Sequence, residues 1–162
     1  MFAASFMRQD REDSVEMAEP VLFERSYPVN GGDFDKSGEV STQIKSFLSE
    51  LDMNSTIIRR AAIATFEAEV NVVIHAESSG IVEMVLTPVD IIIRVTDDGQ
   101  GIADIELAMQ EGFSTASDQM REMGFGAGMG LPNIKRNADR FTIESQVGRG
   151  TTLEIVIHHQ QR

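Results

Sequence analysis

A chain of 162 residues, 41% hydrophobic and 25% charged, has the make-up of an ordinary globular protein and suits one domain with a real core. Its formal net charge of −12 argues against a general binder of nucleic-acid backbone, which needs a basic face. The lack of cysteine excludes disulfide scaffolds, thiolate metal sites and cysteine nucleophiles, and three histidines without an HExxH pattern give no zinc-hydrolase signature.

Along the chain, residues 1–19 open with "MFAASFM", too short for a signal-peptide core, and run into "RQDREDSVEMAE". They are polar, lack a sustained period, and are expected to form a flexible tail ahead of a domain at 20–162. No apolar run approaches the roughly 20 residues that cross a bilayer, so the expectation is a cytoplasmic protein without a membrane partner. "VLFERSYPV", Val21 to Val29, predicts a strand ended by "NGGD". Val40, Ile44, Phe47, Leu48 and Leu51 recur at helical spacing, and "DMNS" breaks that helix, with Asn54 or Ser55 able to cap the next. The second helix is expected over about Thr56 to Glu77.

"GIVEMVLT" and "DIIIRVT" predict two strands joined by a short turn at Pro88. "ADIELAMQEGF" predicts a short helix ended by Gly112, and a further helix is expected from about Leu131 to Ala138. "DRFTIES" and "TTLEIVIH" alternate about "QVGRG", the pattern of a β-hairpin. The resulting class is α+β, with helices packed on one face of a mostly antiparallel sheet.

Four segments carry candidate chemistry. In "MREMGFGAGMGLPNIK", Gly124, Gly126, Gly128 and Gly130 stand at every second position just before a helix. The segment fails as a dinucleotide fingerprint because polar "STASDQMRE", mobile in character, precedes it where a buried strand should be; no Gly-Lys-Ser/Thr occurs for a phosphate loop. It is then either a lid whose N–H groups meet phosphates at a helix N-terminus or a plain surface loop. In "TFEAEVNVVIHA", Glu67, Asn71 and His75 are four apart and share one helix face, while Glu69 points elsewhere and is expected at the surface. A carboxylate there can take a proton from an attacking hydroxyl and an amide can ligate Mg²⁺; the alternative is a row that faces solvent. "VTDDGQGI" can present a carboxylate that accepts from an exocyclic amine, with glycines letting the backbone approach a flat ligand, or can be only a turn. In "GRGTTLEIVI", Thr151 or Thr152 offers a hydroxyl beside that pocket, although β-branched residues open a strand without needing a function.

In this order the four segments resemble the Bergerat-fold ATP-binding domain of histidine kinases, type II topoisomerase ATPase subunits and mismatch-repair ATPases. Within that superfamily the chain is most similar to bacterial anti-sigma-factor serine/threonine kinases and related switch kinases, over roughly Leu22 to Ile157. "FEAEVNVVIHA", "DDGQGI", "GFSTASD" before "GFGAGMGL", and "GRGTTLEI" carry the likeness. No histidine precedes His75, as a phospho-accepting histidine of a histidine kinase would. The resemblance implies a two-layer α/β sandwich with a mostly antiparallel mixed sheet, and ATP and Mg²⁺ as cofactors. It implies Asn71 as magnesium ligand, Glu67 as catalytic base, Asp97 on the adenine amine with Thr151 as a second contact, and Gly99 and Gly101 shaping that end. Gly126, Gly128, Gly130 and Leu131 would belong to the lid over the phosphates, and Lys135 and Arg136 are expected on the helix surface. The implied activity is phosphorylation of a small STAS-type anti-anti-sigma-like protein, with a sigma factor as a further partner, no direct nucleic-acid binding, and a homodimeric state. A nucleotide-dependent binding module and a stand-alone ATPase are the competing readings. Two departures from the kinases stand out: a longer, methionine-rich stretch from Ser117 to Gly126, and "HA" where histidine-glycine is usual.

Overall fold

Apolar residues at alternate positions give five strands, each with a face for a core. In the computed structural model, which describes residues 18–160, these are β1 (Phe23–Asn30), β2 (Ser79–Leu86), β3 (Asp90–Asp97), β4 (Arg140–Gln146) and β5 (Gly150–His158). They form one sheet in the order β1-β2-β3-β5-β4, and every neighbouring pair is antiparallel. Tyr27 and Val29, Val82 and Met84, Ile91 and Ile93, and Leu153 and Ile155 are buried together on one face. The other face carries a cross-strand row of Glu83, Arg94 and Glu154, in which Arg94 Nε donates to Glu154 Oε2 at 2.8 Å. The tail expected at 1–19 lies outside the described residues except for Ala18 and Glu19, which are exposed and irregular.

The helices are α1 (Glu39–Glu50), α2 (Ser55–His75), α3 (Ile105–Ala108), α4 (Asp118–Glu122) and α5 (Gly130–Asn137), with a 3₁₀ turn at Phe34–Lys36. Asn54 caps α2, its Oδ1 accepting from Thr56 N at 2.8 Å. Ala61, Ala64, Ala68, Val72 and Val73 line the buried side of α2, and such small residues bring the helix close to its neighbours. α1 packs along one flank of α2 and α5 along the other. No helix among the described residues is long and apolar enough to cross a membrane.

One expectation fails here, for a tertiary reason. Glu69 is not at the surface: it is 1% exposed, and it accepts from Gly38 N at 3.0 Å and Val40 N at 3.1 Å through Oε1 and from Ser41 N at 3.1 Å through Oε2. α1 starts at a left-handed Gly38 and has no side-chain cap of its own, so a carboxylate from α2 satisfies its first N–H groups and meets the positive end of its dipole. The side of α2 that carries Glu69 therefore faces the start of α1 and not water. Within "STASDQMRE" stands a short helix that no apolar period predicts: Ser117 Oγ accepts from Met120 N at 3.3 Å and starts α4.

Candidate functional site

At the C-terminal end of β3, Asp97 stands directly opposite Thr151 of β5, which stands opposite Ser145 of β4. Directly opposed residues share a sheet face, so the three polar side chains form a short row where the apolar rows of the core end. Asp97 Oδ1 accepts from Gly99 N at 2.8 Å, and Oδ2 has no partner among the described residues. Asp98 faces away: Ser78 N and Ser79 N donate to its Oδ1 at 3.1 and 3.2 Å, and the Ser78 hydroxyl donates to its Oδ2. Those bonds, led by the Ser78 hydroxyl, hold the Asp98 carboxyl down at about 2. Thr152 lies on the opposite sheet face, its hydroxyl 3.4 Å from that of Thr96, so of the two threonines only Thr151 accompanies Asp97.

The glycines after Asp97 are required by close approach. A Cβ at Gly99 would run into the carbonyl of His75, and Gly101 takes a left-handed φ of +76° against the carbonyl of Gln146. The turn is thereby wedged between the end of α2 and the β4–β5 hairpin. His75 thus belongs to this end of the site; desolvation keeps its imidazole below the usual range, with the Asp97 carboxylate pulling the other way.

The second group lies between α2 and α5. Glu67 and Asn71, both half-buried, are one turn apart, and Gly130 at the start of α5 faces both. A Cβ on Gly130 would stand 3.2 Å from Asn71 Oδ1 and 3.6 Å from Glu67 Oε2. Glu67 Oε1 accepts from Asn133 Nδ2 at 2.9 Å, whereas Glu67 Oε2 and the Asn71 amide have no partner among the described residues. Asn133 is the residue that sequence reasoning missed. Its signal was there: three residues after Gly130, it shares that glycine's face of α5. Lys135 and Arg136 are exposed as expected, and Arg136 pairs with Glu111.

The lid segment runs from Gly112 to Gly130. Gly112 N donates to Gly128 O at 2.9 Å and closes its base. Gly126 and Gly128 take φ of +74° and +77°, conformations that side chains resist. Arg121 of α4 donates to Ser114 O at 3.0 Å, and Phe125 rests on Phe34 with ring centroids 4.9 Å apart. Leu131, just beyond, packs against the core.

The unpartnered atoms of Glu67, Asn71 and Asp97 are open to solvent, the buried side-chain polar atom without a partner among the described residues being Thr65 Oγ1, so a ligand can take the place of water on them. The free amide of Asn71 and the free oxygens of Glu67 and Asp97 form a donor set suited to a metal-bearing phosphate at one end and an amine-bearing base at the other.

Comparison with known proteins identifies the family. The family model described as "Histidine kinase-, DNA gyrase B-, and HSP90-like ATPase" matches residues 55–161. An anti-sigma F factor from Caldanaerobacter subterraneus subsp. tengcongensis is 34% identical over 118 residues, covering 70% of this chain and 79% of that protein. The serine/threonine-protein kinase RsbT of Bacillus subtilis is 40% identical over 60 residues, 37% of this chain and 39% of that one. A chain in the crystal structure of the SiaB-SiaC complex from Pseudomonas aeruginosa shares the fold, with a TM-score of 0.54 and 15% identity over 86% of this chain and 92% of that chain. The family match over residues 55–161, the stretch from α2 to β5, places this protein in the histidine kinase-, DNA gyrase B- and HSP90-like family of ATP-binding domains, with anti-sigma factors and a serine/threonine-protein kinase among its relatives.

Proposed function

We propose that this chain is an Mg·ATP-dependent serine/threonine protein kinase of a cytoplasmic regulatory switch, and that its substrate is a small STAS-type anti-anti-sigma-like protein. A sigma factor as a second partner and a homodimeric state belong to the same reading. The observation that carries it is the pair Glu67 and Asn71 against the backbone of Gly130, with one carboxylate oxygen and the whole amide unpartnered. Asn71 would hold Mg²⁺ together with phosphate oxygens and water, because no cluster of three His, Asp or Glu side chains among the described residues could hold the ion alone. When bound, the ion would neutralise phosphate charge. Glu67 would take the proton of a serine or threonine hydroxyl as its oxygen bonds to the γ-phosphorus, the bond to the β-phosphate breaks and ADP leaves. Asp97 and Thr151 would face the purine, and Gly126, Gly128, Gly130 and Leu131 would close over the phosphates. The N-terminal residues are assigned no part in this chemistry.

The test is incubation with γ-labelled ATP, magnesium and an extract of the source cells. Label should appear on a small acceptor, and Glu67→Gln should lower that transfer by at least about 100-fold while nucleotide binding persists. Asn71→Ala should instead weaken Mg·ATP binding itself. Undiminished transfer by Glu67→Gln removes the base assignment. A bound partner without label would mean a nucleotide-dependent binding module, and phosphate released to water alone a stand-alone ATPase.

A further inference from the structure

Ser145 of β4 is absent from the chemistry described so far, yet its hydroxyl is the junction of the purine end. Its Oγ lies 2.7 Å from Ile102 N, 3.1 Å from Gly150 O and 2.8 Å from Thr151 Oγ1. An amide N–H can only donate and a carbonyl can only accept, while a serine hydroxyl has one proton and two lone pairs. Only one arrangement satisfies all three contacts together. The Ser145 proton goes to Gly150 O, one lone pair accepts from Ile102 N, and the other accepts from Thr151. The Thr151 proton is therefore committed to Ser145, and Thr151 Oγ1 has only lone pairs left to offer a ligand.

We propose that Ser145 is a positioning residue that fixes Thr151 as an acceptor and so makes the pocket select a six-amino purine over a six-oxo purine. The inference rests on the reading that Asp97 and Thr151 face the base. Asp97, directly across the ladder from Thr151, has Oδ1 taken by Gly99 N and Oδ2 free, and a carboxylate too can only accept. Two acceptors side by side match the two N–H bonds of an exocyclic amine. A carbonyl oxygen in the same place brings lone pairs against lone pairs and leaves both protein groups unpaired, and such sites reject the mismatched ligand strongly. Without Ser145 the Thr151 hydroxyl is free to turn and donate to that carbonyl.

The measurement is calorimetric binding of ATP and of inosine triphosphate to the full chain with magnesium. The wild type should prefer ATP. Ser145→Ala should reduce the ATP-to-inosine preference by about tenfold, the size of one hydrogen bond changing sides, chiefly through a gain in the inosine nucleotide. Ser145→Thr, which restores the hydroxyl, should keep the wild-type ratio. In a Thr151→Val background, Ser145→Ala should leave the ratio unchanged, since no hydroxyl remains to reorient. If Ser145→Ala does not fold, Ser145→Cys serves, because a thiol donates and accepts weakly and should lower the ratio in the same direction. Equal weakening of both nucleotides by these variants would show that Ser145 only braces the hairpin and would overturn the proposal. A shift in ratio that persists without the Thr151 hydroxyl would overturn it as well. Uptake of neither nucleotide by the wild type would remove the nucleotide reading itself, and equal uptake of both would remove base selection by Asp97 and Thr151.

Discussion

Two neighbouring carboxylates at the end of β3 have different roles because different groups donate to them. Asp98 collects the Ser78 hydroxyl and two backbone N–H groups, which pin the α2–β2 connection to the end of β3. Asp97 collects one backbone N–H and keeps an oxygen free. Since the Asp98 carboxyl is held at about 2 in the fold against an ordinary 3.8, its contribution to stability is complete above the ordinary value and disappears as the pH falls toward 2. Thermal melts of wild type and Asp98→Ala should therefore differ at neutral pH, and the difference should shrink steadily between about pH 4 and pH 2. A gap in melting temperature that does not depend on pH would mean the turn gains nothing from the charge. The sequence "TDDG" could not rank these two residues, because both precede the same glycines and differ only in which sheet face each takes. Parity decides it: Asp97 is in phase with the buried Val95 and Ile93. Asn133 was similarly legible by phase, three residues from Gly130, but its partner Glu67 lies 66 positions away and no local pattern records that pairing.

At the scale of elements, strands and long helices were readable because burial imposes a period on them. β1 to β5, α1, α2 and α5 all fall within a few residues of their expected places. α4 was not readable, since four of its five residues are polar and exposed, with Met120 its one apolar side chain, and it depends on the Ser117 cap and on Arg121 reaching Ser114. Glu69 was misread for a related reason: helix periodicity states which side of α2 it occupies and is silent on what packs there. The consequence is a mutual dependence of two helices. Glu69→Ala would leave the N–H groups of Gly38, Val40 and Ser41 buried or part-buried without an acceptor, and should destabilise the fold by about 3 kcal/mol. Chemical denaturation checks this, and Glu69→Gln, which keeps one acceptor oxygen, should lose less. Equal losses would mean the effect lies in packing volume and not in the capping bonds. Because Glu67 and Asn71 flank Glu69 on α2, the same substitution should weaken nucleotide binding only as far as it unfolds the chain.

Across the whole molecule, α2 is the spine on which the separate parts are hung. The Asp97 and Thr151 end meets its last turn at His75, the Glu67 and Asn71 pair stands on its middle, and α1 is fastened to it through Glu69. The lid is the exception. Its closing bond, Gly112 to Gly128, is internal; it meets α2 only at its last residue, Gly130, and rests through Phe125 on Phe34 in the 3₁₀ turn that leads to α1. An aromatic pair of this kind is worth about 0.5–1.5 kcal/mol beyond its buried area, enough to bias a lid and too little to hold it shut. Phe34→Ala removes the ring from the side of the body and leaves every lid residue unchanged. The lid contains a single basic residue, Arg121, so trypsin reports on it at one peptide bond. Cleavage after Arg121 should accelerate several-fold in Phe34→Ala, consistent with a local opening eased by about 1 kcal/mol, beyond what the modest fall in melting temperature from its lost packing on the core accounts for. If cleavage at Arg121 rose only in proportion to the fall in melting temperature, the ring would act through the global fold alone. If neither changed, the lid would be held by the Gly112–Gly128 bond and the α4 contacts alone, and its opening would be independent of the turn that precedes α1.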